Sequence, residues 1–226
     1  MATIATTMPV GTAHPAPANG PVPRILPNGL SSAVFLRRFS VREYQRMIDE
    51  GYFAGDEAYE LIEGLIVHKM ARDPIHDACL ANANRVLAAL LPTAGWHFRV
   101  QSAVVGVDSQ PEPDLALTRG VEFDYLAHHP EADDVPLVIE VSNSSLADDR
   151  AWKSRVYASA RFDVYWIINL IDSRVEVYSD PSGPDSAPAY RRRDDYVMGQ
   201  SVPFNVPPAP GKTVLVRDLL PPAVRS

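Results

Sequence analysis

Leu137-Val138-Ile139-Glu140-Val141-Ser142 is an apolar run broken by one carboxylate. An apolar run of this length reads as a buried β-strand. An ionised carboxylate buried inside it is costly unless a partner or a metal offsets the cost. Pro111-Glu112-Pro113-Asp114-Leu115-Ala116-Leu117 shows the same pattern upstream, with Asp114 opening the strand. Adjacent strands lie roughly 5 Å apart, so matched side chains on one face can grip a single divalent cation through oxygen ligands. The expectation is that Asp114 and Glu140 share such an ion. The segment between them is long enough for either strand direction, so their matching is assumed rather than read.

Further elements flank this pair. Ser40-Val41-Arg42-Glu43 is a capping box, and Val41, Tyr44, Met47 and Ile48 fall on one face of the helix it opens, with Gly51 as its stop. Two short apolar segments around Glu63-Gly64, from Tyr59 to Val67, read as a tight β-hairpin. A second helix is expected over Ile75 to Leu91, with a stripe that includes Ala78, Cys79, Val86 and Leu90. Trp96 to Val107 reads as a strand pair or one bent strand. A helix over Asp148 to Ala160, capped by Ser145 or Asp148, is followed by strands at Val164–Leu170 and Arg174–Tyr178. One or two more antiparallel strands and a short turn are expected over Tyr190 to Pro221. The order predicts an α/β (α+β) fold, a mixed sheet with helices packed on it.

Residues 1–36 are rich in Pro and Ala and nearly free of charge, and are expected to form a flexible tail; 37–226 are expected to form a single domain. The 226 residues suffice for a sizeable core, and the net charge of −7 rules out a molecule that attracts nucleic acid by bulk charge. Any phosphate partner needs a local basic patch or a bound cation. The single cysteine, Cys79, allows no internal disulfide and no Cys/His zinc site. No apolar run is long enough to span a membrane, and no secretory signal stands at the N-terminus, so a cytoplasmic protein is expected. Serine hydrolase chemistry is rejected because Ser142, Ser144 and Ser145 lack a nucleophile elbow, and no Gly-rich phosphate loop is present. His128 and His129 sit in a loop without a ligand pattern and read as surface residues. Trp152, Trp166 and Tyr178 read as core or interface aromatics. The basic run Arg191-Arg192-Arg193 precedes Asp194-Asp195 and reads as a solvated strand end.

Lys153 shares a helical face with Val156, Tyr157 and Ala160, which are apolar or aromatic, so it is aimed at the core side. There it could hold a water beside a metal-bound phosphate or stabilise developing charge. The competing reading is a surface lysine lying over Tyr157 or paired with Asp149.

Asp114, Glu140 and Lys153 together resemble a PD-(D/E)XK nuclease centre with a migrated lysine, and the surrounding strings resemble the Uma-two (Uma2) family of restriction-endonuclease-like proteins. Those strings are Tyr59-Glu60-Leu61-Ile62-Glu63-Gly64, Pro113-Asp114-Leu115-Ala116, Val138-Ile139-Glu140-Val141, then Asp149-Arg150, Lys153, Tyr157, Tyr165-Trp166-Ile167-Ile168 and Val175-Glu176-Val177-Tyr178. Their order and spacing span Phe39 to Tyr178. The resemblance implies a restriction-endonuclease-like mixed central sheet flanked by helices, with an N-terminal β-hairpin. It implies Asp114 and Glu140 as ligands of Mg2+ or Mn2+, joined by the Val141 carbonyl, and Lys153 as the catalytic lysine. It adds Glu60 as a catalytic candidate, and His76 and Gln101, with Tyr157, as residues behind the ligands or against substrate. The chain departs from the family at Ser142, where the parent motif has lysine, at Asn169, where an aspartate is usual, and at Leu65, where an acidic residue is usual.

Taken with the resemblance, these residues predict a metal-dependent endonuclease acting on nucleic acid, with DNA the expected partner and a homodimer the expected assembly for duplex cutting. A catalytically inactive nuclease-fold module that binds nucleic acid or protein is the alternative; hydrolysis of a small phosphate ester at the same site is a third. For Glu60 a solvent-facing strand position, and for His76 a helix-capping position, remain open beside the functional roles.

Overall fold

The computed structural model describes residues 36–53, 55, 58–69, 72–207 and 209–222. The expected N-terminal tail lies outside the described residues apart from residue 36. The first helix, α1 (Val41–Asp49), carries the capping box: Ser40 Oγ accepts from the Glu43 N–H and the Glu43 carboxylate accepts from the Ser40 N–H. Tyr44 is the buried residue of this helix, whereas Ile48 faces solvent.

Strands β1 (Tyr59–Ile62) and β2 (Leu65–His68) pair antiparallel with Ile62 opposite Leu65, leaving Glu63-Gly64 as a two-residue turn. Both turn residues have positive φ, 47° at Glu63 and 74° at Gly64. That geometry matches the twist of the flanking strands and requires left-handed backbone at both positions.

Helix α2 runs Pro74–Ala88, starting one residue and ending three residues before the bounds that the spacing predicts. Asp73 caps it, and Pro74 sits where its missing N–H costs nothing. The buried face is His76, Cys79, Leu80, Ala83 and Leu87; Ala78 is exposed, which corrects the expected stripe. The true stripe begins with a histidine, a residue that an apolar-periodicity reading passes over.

The main sheet has six strands in the order β3-β4-β5-β6-β7-β8: Trp96–Val100, Leu115–Arg119, Leu137–Ser142, Val164–Asn169, Arg174–Pro181 and Tyr190–Val197. Only β5 and β6 are parallel; the other pairs are antiparallel. The expected strand from Trp96 to Val107 stops at Val100, because Gln101 takes a positive φ of 49° and Pro111 and Pro113 interrupt the return to β4. After β8 come β9 (Ser201–Phe204) and β10 (Lys212–Leu215), a separate two-stranded ribbon, and then α5 (Val216–Leu219). The region from Tyr190 onward thus holds three strands, more than expected.

Both faces of the sheet are covered, so β5 is buried at every position. Leu137, Ile139 and Val141 face α2, α5 and the ribbon. Val138 faces the other layer, with Tyr157, Phe162, Tyr165, Ile167 and Tyr178. That layer is built on α3 (Leu146–Asp148), which continues through a π turn (Asp149–Lys153) into α4 (Ser154–Ser159). Ser145 precedes α3 without making a side-chain cap; its hydroxyl donates instead to Asp149. By the two-residue period of a strand, Glu140 and Ser142 share the Val138 face. Glu140 is therefore one carboxylate set into the helix-covered side of the sheet.

Candidate active site

Strand register brings the two acids together. Leu115 pairs with Ile139 across antiparallel β4 and β5, so Asp114 is the next residue in line with Glu140. The Asp114 N–H donates to Glu140 Oε2 at 3.2 Å, and the Val141 N–H donates to Asp114 Oδ2 at 2.9 Å. Both carboxylates are buried. They face the same side of the sheet and lie within one pocket.

Lys153 completes the centre. It comes from the π turn and is buried, with Nζ donating to Glu60 Oε2 at 2.8 Å and 3.6 Å from Glu140 Oε1. Glu60, on β1, is also buried and accepts from the Glu112 N–H at 3.0 Å. It is not a solvent-facing strand residue. Tyr157, one turn beyond Lys153, donates its hydroxyl to Glu140 Oε1 at 2.7 Å. Burial opposes charge on Lys153, but Glu140 and Glu60 outweigh it and hold the ammonium protonated well above its ordinary range. Burial pushes the Glu140 carboxyl up, Asp114 and Asp149 add to that, and Lys153 and Tyr157 oppose it; the balance raises it to about 8.

His76 and Gln101 stand behind Asp114. The α2 cap places His76: Asp73 Oδ1 accepts its backbone N–H at 2.8 Å, and its Nε2 lies 3.0 Å from Asp114 Oδ2. Burial opposes protonation of His76, yet the Asp114 and Asp77 carboxylates raise its pKa above the usual value. Gln101 Nε2 is 3.4 Å from Asp114 Oδ1, and the Gln101 N–H donates to the Asp114 carbonyl at 3.0 Å.

Asp149, which residue order places in the family-like strings and as a pairing partner of Lys153 without a role in the site, is a member of it. It is buried and accepts from both Ser142 and Ser145 hydroxyls at 2.6 Å. Burial raises its pKa against those hydrogen bonds. The available signal was its i, i+4 spacing to Lys153, which puts both on one helical face. Ser142, where the parent motif has lysine, supports this acid. Asn143 Nδ2 donates to Asp73 Oδ2 at 2.7 Å, tying the end of β5 to the start of α2. Asn169 lies apart from the carboxylate pair, donating to Asp172 and to the buried Glu176. Glu63 is a turn residue whose carboxylate pairs with Arg155 at 2.7 Å. Trp152 is half-buried and lines the cleft, outside the core.

The cleft holding these groups is half-open, with a volume of about 530 Å³. Seven carboxylates line it, from Glu60, Asp73, Glu112, Asp114, Glu140, Asp148 and Asp149, against three permanent cations, Lys69, Arg72 and Lys153. The excess negative charge would repel a phosphate unless a cation entered first. Among the described residues no three His, Cys, Asp or Glu side chains form a closed metal cage. Magnesium does not need one: it takes one or two carboxylates and fills its remaining positions with water and substrate phosphate. The buried oxygen donors, short of positive charge, therefore fit Mg2+ or Mn2+ and do not fit a structural zinc.

Comparison with known proteins adds two findings. A family named Uma2, described as "Putative restriction endonuclease", matches residues 41–206. A crystal structure from Anabaena variabilis, titled a "putative nuclease belonging to DUF820", superimposes with a TM-score of 0.62 at 18% identity, covering 80% of this chain and 97% of that one. That likeness establishes a shared fold. No curated protein matches the chain.

Proposed function

We propose, from the premise that the chain belongs to the Uma2 family, that its cleft hydrolyses the phosphodiester bonds of nucleic acid, with DNA as the substrate and Mg2+ or Mn2+ as the cofactor. The observation that carries this reading is the convergence of Asp114 and Glu140, from neighbouring strands, beside the buried ammonium of Lys153. Asp114 and Glu140 would hold the cation, with the Val141 carbonyl as a third oxygen. Once bound, the metal would polarise the scissile phosphate and lower the pKa of a water.

The chain's own residues do the rest. The Val141 N–H and His76 orient Asp114, and Tyr157 orients Glu140. Glu60 positions Lys153. Lys153 lies where it would orient the attacking water or neutralise charge building on the phosphate in the transition state. Water is the nucleophile, and no covalent enzyme intermediate is required. Two such centres, in a homodimer, would cut both strands of a duplex.

One observation favours the alternative of a non-catalytic module: the Lys153 ammonium is already engaged by Glu60 and lies close to Glu140. A salt-bridged lysine of this kind can serve as a structural lock. Calorimetric titration of Mg2+ or Mn2+ into wild type and Asp114→Ala separates the readings. Binding heat is expected in wild type alone; equal heats in the two proteins remove the metal site. Plasmid nicking by wild type, lost in Lys153→Ala, then supports the nuclease, whereas no cutting under either metal supports the binding module.

A further inference from the structure

We infer that the face of β3 carrying His97 and Arg99 is a second phosphate site, one that grips the nucleic-acid backbone beside the catalytic cleft. This rests on the nuclease reading of that cleft. β3 is an edge strand, bonded to β4 alone. His97 and Arg99 alternate onto one side of it, and Gln101, just past its end, turns toward Asp114. Arg99 stands opposite Ala116 and His97 opposite Thr118, and Gln101 reaches the Asp114 carboxylate. The row therefore leads along one face of the sheet to the carboxylate pair. Arg99 lies two residues before Gln101, at most roughly 7 Å along the chain. At about 3.4 Å of rise per nucleotide, this is a separation of about two nucleotides.

The side chains of this row gather around Tyr125. The Arg99 guanidinium carbon lies 5.6 Å from the Tyr125 ring centre, with the His97 and His128 rings at 6.4 and 5.6 Å. Three buried nitrogens in this group have no hydrogen-bond partner: His97 Nε2, Arg99 Nε and His129 Nδ1. Buried polar groups are normally paired; Arg99 is half-buried, with Nε closed off and its two outer nitrogens left accessible without a hydrogen-bond partner among the described residues. The partly buried arginines elsewhere have found theirs: Arg150 pairs with Glu176, Arg155 with Glu63 and Arg174 with Asp195. Arg99 has no carboxylate partner among the described residues. A phosphate oxygen bound at the outer nitrogens of Arg99 supplies the anion that no carboxylate supplies. The triple-arginine run of β8 does not compete for this role, because Asp180, Asp194 and Asp195 neutralise it. The patch adjoins the cleft through Gln101, which lines the cleft two residues beyond Arg99. It also answers a problem set by the acidic cleft. The cation compensates the carboxylates at the scissile phosphate, and Arg99 holds the strand where no metal is present.

The test uses the full chain and a fluorescently labelled DNA duplex, with calcium in place of magnesium to bind without cutting. Arg99→Gln is expected to weaken binding about tenfold and to lower the slope of log K against log salt by about one. Arg99→Lys, which keeps the charge, is expected to retain that slope. Hydrolysis of bis(p-nitrophenyl) phosphate in magnesium, a diester too small to reach Arg99, is expected to be unchanged in both variants. Wild-type binding and cutting with an Arg99→Gln variant of equal affinity and slope overturns this inference alone. Loss of small-diester hydrolysis alongside DNA binding in Arg99→Gln also overturns it, since the patch would not then be separate from the centre. A wild type that neither binds nor cuts DNA overturns the nuclease reading as well.

Discussion

Asp114 and Glu140 anchor each other's strands: the Asp114 N–H donates to the Glu140 carboxylate, and the N–H of Val141, next after Glu140, donates to the Asp114 carboxylate. The two carboxyl groups are thus held side by side by the backbone itself, with the Lys153 ammonium 3.6 Å from Glu140 and the His76 ring 3.0 Å from Asp114. Reciprocal bonds of this kind fix the separation of the acids before any ligand arrives, which is preorganisation for a shared cation.

Asp114→Asn keeps the side-chain shape and removes one ligand charge. Cleavage is expected to fall by roughly 10²- to 10³-fold, comparable to deleting a preorganised electrostatic group in other enzymes. Circular dichroism should be unchanged, and the heat of magnesium binding should disappear. Retained cutting at the wild-type rate would place the metal elsewhere.

Lys153→Met strands Glu60 and Glu140 without their cation in a buried setting. Removing one partner of a buried pair costs about 3–5 kcal/mol. The expected outcome is a large drop in the urea midpoint. The double variant Lys153→Met with Glu60→Gln should recover part of it, because the orphaned charge is gone. A single variant as stable as wild type would mean that the ammonium contributes nothing to the fold.

Glu176 sets an acid limit on stability. Its side chain is fully buried, which alone would raise its pKa, but hydrogen bonds from Arg150, Asn169 and Tyr178, with Arg193 nearby, outweigh burial and hold it below the ordinary 4.5. A carboxyl depressed in the folded state contributes stability that is fully present above its unfolded pKa and is lost as pH falls through the folded one. Thermal melts across a pH series should show wild type losing stability below about 4.5. Glu176→Gln should be less stable at neutral pH and show a shallower acid limb. Parallel curves would contradict this assignment.

Gly64→Ala tests the hairpin that carries Glu60. Gly64 has φ of 74°, and an added Cβ would lie 2.7 Å from Arg38 Cβ and 3.0 Å from the Phe39 carbonyl. Strain and contact act together, so destabilisation beyond about 1 kcal/mol is expected. If Glu60 reaches Lys153 only through this hairpin, cleavage should fall in the same variant. A variant with wild-type stability and wild-type cutting would show that the turn tolerates a side chain and that Glu60 is placed without it.

Several features were legible from residue order alone. The capping box at Ser40, the turn at Glu63-Gly64 and the strands around Asp114 and Glu140 follow local rules that act within a few residues. Errors fell where local rules yield to packing. The α2 stripe was misread because its first buried member is His76, held inward by Asp114 from a distant strand. Asp149 looked like a surface acid because the hydroxyls that satisfy it, on Ser142 and Ser145, reach it only when the helix folds back on β5. His129 is half-buried rather than exposed, and the groups acting on it, Arg99 and Glu112, come from distant parts of the chain.

Residue types and their local spacing dictate which groups are expensive to bury: two carboxylates inside apolar strands and a lysine on an apolar helical face. Strand order and register were decided by tertiary structure. Pairing Leu115 with Ile139 is what sets Asp114 beside Glu140, and a shift of one residue would have turned one of them to the opposite face. The hairpin's approach, which brings Glu60 to Lys153 across 93 positions of the chain, was likewise beyond any local pattern. The physical reason is that the cost of burying a charge is a property of the residue, whereas its compensation depends on partners that only the folded chain brings within a few ångströms.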